Sequence, residues 1–455
     1  MRYFLLIILS LALFSCDPKT DNTPDTKNPP PASDKTFWAL DNTKDSFQRS
    51  SYYQVNAKLL YSETHVNVYI DVLSYDKVDS VEAKFFADEF NNKIYPKVTG
   101  IFGVESDRNA DGKVNILFLD IKDGSAGPSS GYIGGYFYGV DLYSANEISQ
   151  AGFDIPTNFA EMLYIDCVEN NIDTNNLTVK STIAHEFQHM IGFNQRFFIR
   201  NVQNALDTWI NEALAESAEF EVYGSNALMG RFNYIASNSF NLGTSLEYWP
   251  SNGSGTLSDY ALSSTYINFA SNQFSTDQER YNFLAGVQNG TNFDYAAISN
   301  NLSYLTGTSI ERFKKSFFQY VTVGLVRVVT DAFPGISKSN FSGIRFSSAQ
   351  NQSDRGFVPR VFKYASSASL SITGDQFNLF DVSSATYTEA KSIGALGELD
   401  NLGYSAAFVF SSNLTDNFFN FALSSAPQVA KRAKEIILTN SSFRMDNVIQ
   451  FGPLR

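Results

Sequence analysis

"AHEFQHMIGF", residues 184–193, carries two of the chain's three histidines, His185 and His189, four apart and with Glu186 directly after the first. On a helix, residues i and i+4 lie one above the other, so both imidazoles can face one ion. Glu186 falls one step round, beside the ion rather than on it, where a base for a metal-bound water belongs. The neighbours Ala184, Phe187, Met190, Ile191 and Phe193 are apolar or small, which predicts a buried helix. Two buried histidines and a buried glutamate need partners, and a metal supplies them.

A catalytic zinc site takes three protein ligands and keeps one position open for water. The extended pattern that adds a third histidine fails, because the position it needs is Gln195 and no histidine follows His189. The other source is a glutamate on the next helix. "WINEALAE", residues 209–216, offers Glu212, 23 positions after His189, a distance that suits a loop and a returning helix. Glu216 shares the face of Glu212 and is expected to accept the outer N–H of a ligating histidine, fixing the ring. Glu219 continues the stripe.

The pairing of H-E-x-x-H with a downstream N-E-x-x-A-E resembles the thermolysin-like, or gluzincin, arrangement. "STIAHEFQHMIGFN" (181–194) with "WINEALAE" is more closely similar to the hyicolysin family of bacterial zinc metallopeptidases. "DRNADGKVNILFLDI" (107–121) and "NFAEMLYIDC" (158–167) resemble that family too. The resemblance spans roughly residues 60–275. It implies zinc held by His185, His189 and Glu212, Glu186 as catalytic base, and a zincin-like α+β fold with a mixed sheet, an active-site helix and a helical lower part.

The function expected is therefore metal-assisted hydrolysis of peptide bonds in a protein or peptide substrate. The chain departs from the thermolysin pattern in its oxyanion donor: no Tyr lies between His189 and Glu212, and no downstream His exists. Tyr260, with Tyr266 as the alternative, is the expected donor, on a helix over 258–274. The Gly/Tyr-rich stretch 130–143 is read as an irregular or edge strand that can meet an extended peptide. His65, alternating within "THVNVYID", is read as structural. An exopeptidase, or an adhesion lipoprotein using a protease-like scaffold, are the alternatives. No residue clearly captures a free terminus, which favours an endopeptidase.

Asp107, Asn109 and Asp111, followed by Gly112, form the first half of a calcium loop. Position twelve is Phe118 rather than Glu, so this is no EF-hand. Bound calcium and a plain Asx-rich turn both remain open.

With 455 residues, the chain has room for more than one domain. Residues 1–16, "MRYFLLIILSLALFSC", read as a lipoprotein-type signal ending at Cys16, which would be lipidated. Acyl chains there would tether the protein to a bacterial membrane on the outer side of its cytoplasm, without spanning it. Residues 17–36 are a Pro-rich spacer. A peptidase domain is expected over 37–340, and a β-rich C-terminal domain, with alternating apolar residues, over 361–455. Helices are expected over 79–98, 176–193 and 207–224, the second ending near Gly192. The net charge of −13 argues against nucleic acid as partner. Cys167, in an apolar run, is read as an inert core thiol. Nothing in the sequence fixes an oligomeric state.

Overall fold

A computed structural model describes residues 32–125, 132–250, 256–374, 376–384, 386–413 and 417–428. The expected signal segment, Cys16 and residues 17–31 of the spacer lie outside them.

Strands β1 (Lys35–Leu40), β2 (Tyr52–Ser62) and β3 (Val66–Asp71) pair antiparallel in succession. The chain then crosses through α1 (Ser80–Glu89) and α2 (Tyr95–Phe102) to β4 (Val114–Leu119), parallel to β3. A short strand, β5 (Gly135–Phe137), and α3 (Ala145–Gln150) precede β6 (Met162–Asp166). β6 pairs parallel with β4 and antiparallel with β5. The order β1-β2-β3-β4-β6-β5 leaves β5 on the edge. β4 and β6 are buried along their whole length, as expected of continuous apolar runs. Alternate residues serve two cores: Ile116, Phe118, Leu163 and Ile165 face the helices, while Leu117, Leu119, Met162 and Tyr164 pack with Phe37 and Tyr136.

The helix expected over 79–98 begins at Asp79, which forms a reciprocal capping box with Glu82. Val81 on this helix is exposed, and Ala83, Phe86 and Ala87 face the core. A π turn over Phe90–Ile94 separates α1 from α2. The wider turn lets Pro96, which has no N–H to donate, sit near the start of α2.

Below the sheet lie α4 (Leu177–Phe193), α5 (Thr208–Tyr223), α6 (Ser225–Ala236), α7 (Thr256–Ser271), α8 (Asp277–Asn289), α9 (Tyr295–Ser299) and α10 (Ser309–Gln319). Gly192 does not end α4, which runs on through a π turn over Asn194–Ile199. Gly192 instead gives room for α8: a Cβ there would meet Gln288 Oε1 at 3.5 Å. Cys167, just beyond β6, is buried in the core and has no disulfide partner among the described residues.

The rest is a smaller β-rich domain. β8 (Arg360–Tyr364), β10 (Phe377–Asp381) and β12 (Ser405–Ser411) form one sheet in the order β10-β12-β8. β7 (Asn351–Asp354), β9 (Leu370–Thr373), β11 (Ser392–Ile393) and β13 (Phe419–Leu423) form another. Rings join this part to the helices: Phe313 of α10 packs on Phe357 at 4.8 Å and on Trp209 of α5 at 6.1 Å between centroids. Among the described residues no helix is long and apolar enough to cross a membrane. The architecture is α+β with a zincin-like first part, as the sequence led us to expect.

Candidate metal centre

α4 starts where Asn176 accepts a hydrogen bond from Thr178 N–H, and it is buried from Ser181 to Phe193. α5 runs from its flank Asp207 to Gly224, whose positive φ of 73° ends the helix as a glycine can. The loop between them is stapled by Arg196, whose guanidinium donates to the carbonyls of Gln288, Asn204 and Gly290 at 2.7 to 2.9 Å. That staple sets the second helix against the first.

His185, His189 and Glu212 then converge. Their ligand atoms lie within 4.8 Å of one another and all three residues are buried. Glu212 Oε2 is 3.2 Å from His185 Nε2 and 3.6 Å from His189 Nε2. Ligands about 2.1 Å from a tetrahedral zinc stand about 3.4 Å apart, so the spacing fits a shared ion. His189 Nε2 is buried with no hydrogen-bond partner among the described residues, a lone pair in need of a ligand.

The electrostatics point the same way. Burial works against charge on Glu212, yet the two histidines hold its carboxyl down to about 2. Burial opposes a proton on His185 as well, but the carboxylates of Glu212 and Glu219 outweigh it and push the imidazole well up. Burial keeps His189 low, hence neutral. Buried acidic groups thus surround two imidazoles, and the nearby cation Arg231 forks onto Glu216 at 2.6 and 3.0 Å. Nitrogen and oxygen donors with this negative charge suit a divalent zinc ion.

Outer contacts fix each ring. Glu219 Oε1 lies 2.8 Å from His185 Nδ1. The sequence reading gave this role to Glu216, and the structure gives it to Glu219. The reason is the helical period. Residue i+7 returns to within about 20° of Glu212, whereas i+4 overshoots by about 40°. Glu216 is turned instead to Arg231 on α6. Asn211, which the sequence reading passed over, meets His189 Nδ1 at 2.9 Å through its side-chain amide. The atom facing Nδ1 is the amide nitrogen Nδ2; with Nε2 on a metal, Nδ1 would carry the proton and the amide would turn to offer its oxygen instead. Its place beside Glu212 in the sequence was the available signal.

Glu186 is buried beside the ligands, and its Oε2 accepts a 2.9 Å hydrogen bond from Phe137 N–H. Phe137 ends the edge strand β5, so the Gly/Tyr-rich stretch reaches the centre. Of the two tyrosines, Tyr260 lies in the field of Glu212, Glu186 and Glu216. After burial, Glu212 is the first of these to push its phenol up. Arg231 lies 4.9 Å over its ring and Trp249 packs edge-on at 4.9 Å. Tyr266 is not at the centre: it is a core residue, bonded to Ser316 Oγ at 3.1 Å and packed on Phe313 and Tyr320. His65 stacks on Tyr95 at 3.9 Å and, among the described residues, joins none of the converging ligand groups.

Residues 107–113 fold as an Asx turn. Asp107 accepts from Gly112 N–H, Asn109 from Asp111 N–H, and Asp111 from Lys113 N–H. Asn109 lies beside these aspartates, its Nδ2 donating to Asp111 Oδ2 at 2.9 Å. Glu161, which the sequence reading left out, joins Asp107 and Asp111 within 4.8 Å.

A family described as a predicted Zn-dependent protease matches residues 127–238. The neutral metalloprotease ShpI of Staphylococcus hyicus is 39% identical over 223 residues, 48% of this chain and 47% of its own length. The chain thus spans about half the length of that relative. The family match takes in both the H-E-x-x-H segment and Glu212, in keeping with the resemblance carried by the motifs.

Proposed function

We propose that the chain is a zinc-dependent metalloendopeptidase, exported and held to a membrane surface through lipid on Cys16. The observation that carries the enzymatic part is the convergence of two imidazoles and Glu212 beside a glutamate anchored to the sheet edge. His185, His189 and Glu212 would hold the zinc. When bound, zinc lowers the pKa of a water and polarises the scissile carbonyl.

The chain's own residues do the rest. Glu186 takes the proton of the attacking water and returns it to the leaving amine. Phe137 N–H fixes one oxygen of that carboxylate and so aims it. Glu219 and Asn211 keep the two imidazoles turned. Tyr260 O–H donates to the oxygen on which charge develops. β5, bordered by β6 alone among the strands described, offers its outer edge to an extended peptide. Such backbone pairing reads no chain terminus, which favours internal cleavage.

The test compares the purified chain after Cys16 with its Glu186→Gln variant on terminally blocked peptides, with zinc counted in both. Activity in the parent only, with one zinc in each, supports the reading. Equal zinc and no activity in either would favour a binding protein on this scaffold. For the tether, detergent phase partitioning of the full chain and of Cys16→Ala reads the lipid directly: both in the aqueous phase would remove it.

A further inference from the structure

We propose a second metal site, for a hard divalent cation of calcium's class, formed by Asp107, Asp111 and Glu161. One carboxylate oxygen of each lies within 4.8 Å of the others. Three carboxylates this close repel one another, and among the described residues none is in an ion pair. The two basic groups nearest in sequence are committed elsewhere. Arg108 bonds Glu147 at 2.6 Å and the Leu142 carbonyl at 3.0 Å. Lys113 Nζ is held by Ser62 Oγ and the carbonyl of Glu63.

Glu161 supplies the second observation. Its side chain is only 1% exposed. Oε1 accepts from Ser106 Oγ at 2.8 Å and from Arg108 N–H at 2.9 Å. Oε2 is buried with no hydrogen-bond partner among the described residues. A buried carboxylate oxygen left unbonded is costly, and a cation at the cluster meets that need. The oxygen-only donor set selects calcium, magnesium or manganese over zinc or copper. Exposed Asp107 and Asp111 leave room for the waters such an ion keeps. The turn itself, with Ala110 at φ 60° and Gly112 at φ 67°, holds the two aspartates on one side.

The ion would join the loop before β4 to the residue that opens β6. Glu161 also accepts Asn115 N–H at its carbonyl, so the two parallel central strands are tied at the same end. β6 in turn carries β5 and Phe137, and hence one anchor of Glu186.

The test uses the zinc-loaded chain freed of other divalent ions. Bound calcium and zinc are counted after equilibrium dialysis, and thermal unfolding is followed from 0 to 10 mM calcium. We expect one calcium in addition to zinc, a midpoint raised by several degrees, and at least tenfold weaker binding in Asp107→Asn and Glu161→Gln. Asp107 is exposed, so its variant folds even if the Glu161 variant does not. Glu212→Gln, which removes a zinc ligand, is expected to keep the calcium effect. No calcium bound at 10 mM, parent-like binding by Asp107→Asn, or loss of the effect in Glu212→Gln would overturn the proposal.

Discussion

Glu219→Gln tests the outer ring of the metal centre. The carboxylate lies 2.8 Å from His185 Nδ1, and both side chains are buried. As an acceptor it holds the Nδ1 proton, so that Nε2 offers its lone pair to the metal, and it raises the basicity of the ring. A glutamine keeps the shape but lowers the charge by one. Loss of such a partner costs about 10- to 100-fold in metal affinity, or about 1.4 to 2.7 kcal/mol. Glu216→Gln is the matched control one turn away. Its carboxylate neutralises Arg231, whose guanidinium is largely buried, so its loss strands a cation at a cost of about 3 kcal/mol or more in stability. Zinc affinity is read by competition with a chromophoric chelator, and stability by urea unfolding of the zinc-free chains. We expect Glu219→Gln to move the first far more than the second, and Glu216→Gln the reverse. If Glu219→Gln binds zinc within twofold of the parent while Glu216→Gln loses tenfold, the assignment of Glu219 is wrong.

Tyr260→Phe is expected to lower kcat about 100-fold or more with zinc content unchanged, the size of a lost oxyanion donor. Tyr266→Phe should leave kcat alone and lose about 1 kcal/mol with its bond to Ser316; equal kinetic effects would sink the distinction. Asp259 is buried and its carboxyl is pushed up to about 8 by that burial, from an ordinary value near 3.8. The folded state then binds the extra proton between those values. Its contribution to stability is full below pH 4 and falls by about 1.4 kcal/mol per pH unit up to pH 8. Asp259→Asn should remove that slope, read as the difference in urea midpoints between variant and parent from pH 5 to 8; parallel curves would refute it. At Gly139 a Cβ would stand 2.4 Å from the ring of Phe193 at the end of α4. Gly139→Ala should cost about 1–3 kcal/mol, measured by thermal unfolding, and an unchanged midpoint would contradict the packing.

Local chemistry was legible where it acts locally. Asp79 and Asn176 cap as their types demand, and Gly224 ends α5 with a backbone other residues avoid. The convergence of His185, His189 and Glu212 was legible because one helical turn and one return helix suffice to bring them together. Contacts set by tertiary approach were not. Gly192 looks like a stop signal but serves the packing of α8, and Tyr266 differs from Tyr260 only by the direction its helix face takes. Glu161 is nearly fifty residues from the turn it completes, and only the parallel pairing of β4 with β6 brings the two together.

The ring contacts at α10 bear on how the molecule comes apart. Phe410 packs on Phe357 at 5.5 Å, Phe357 on Phe313, and Phe313 on Trp209, three residues before Glu212. The same buried cluster that holds His185's helix includes Phe380, Phe408 and Phe410. A chain cut before the C-terminal sheets would therefore bare one wall of its own interior, and the helix that carries Glu212 would lose its backing. Melting should be a single cooperative event in which the β-rich part, the helices and the zinc are released together.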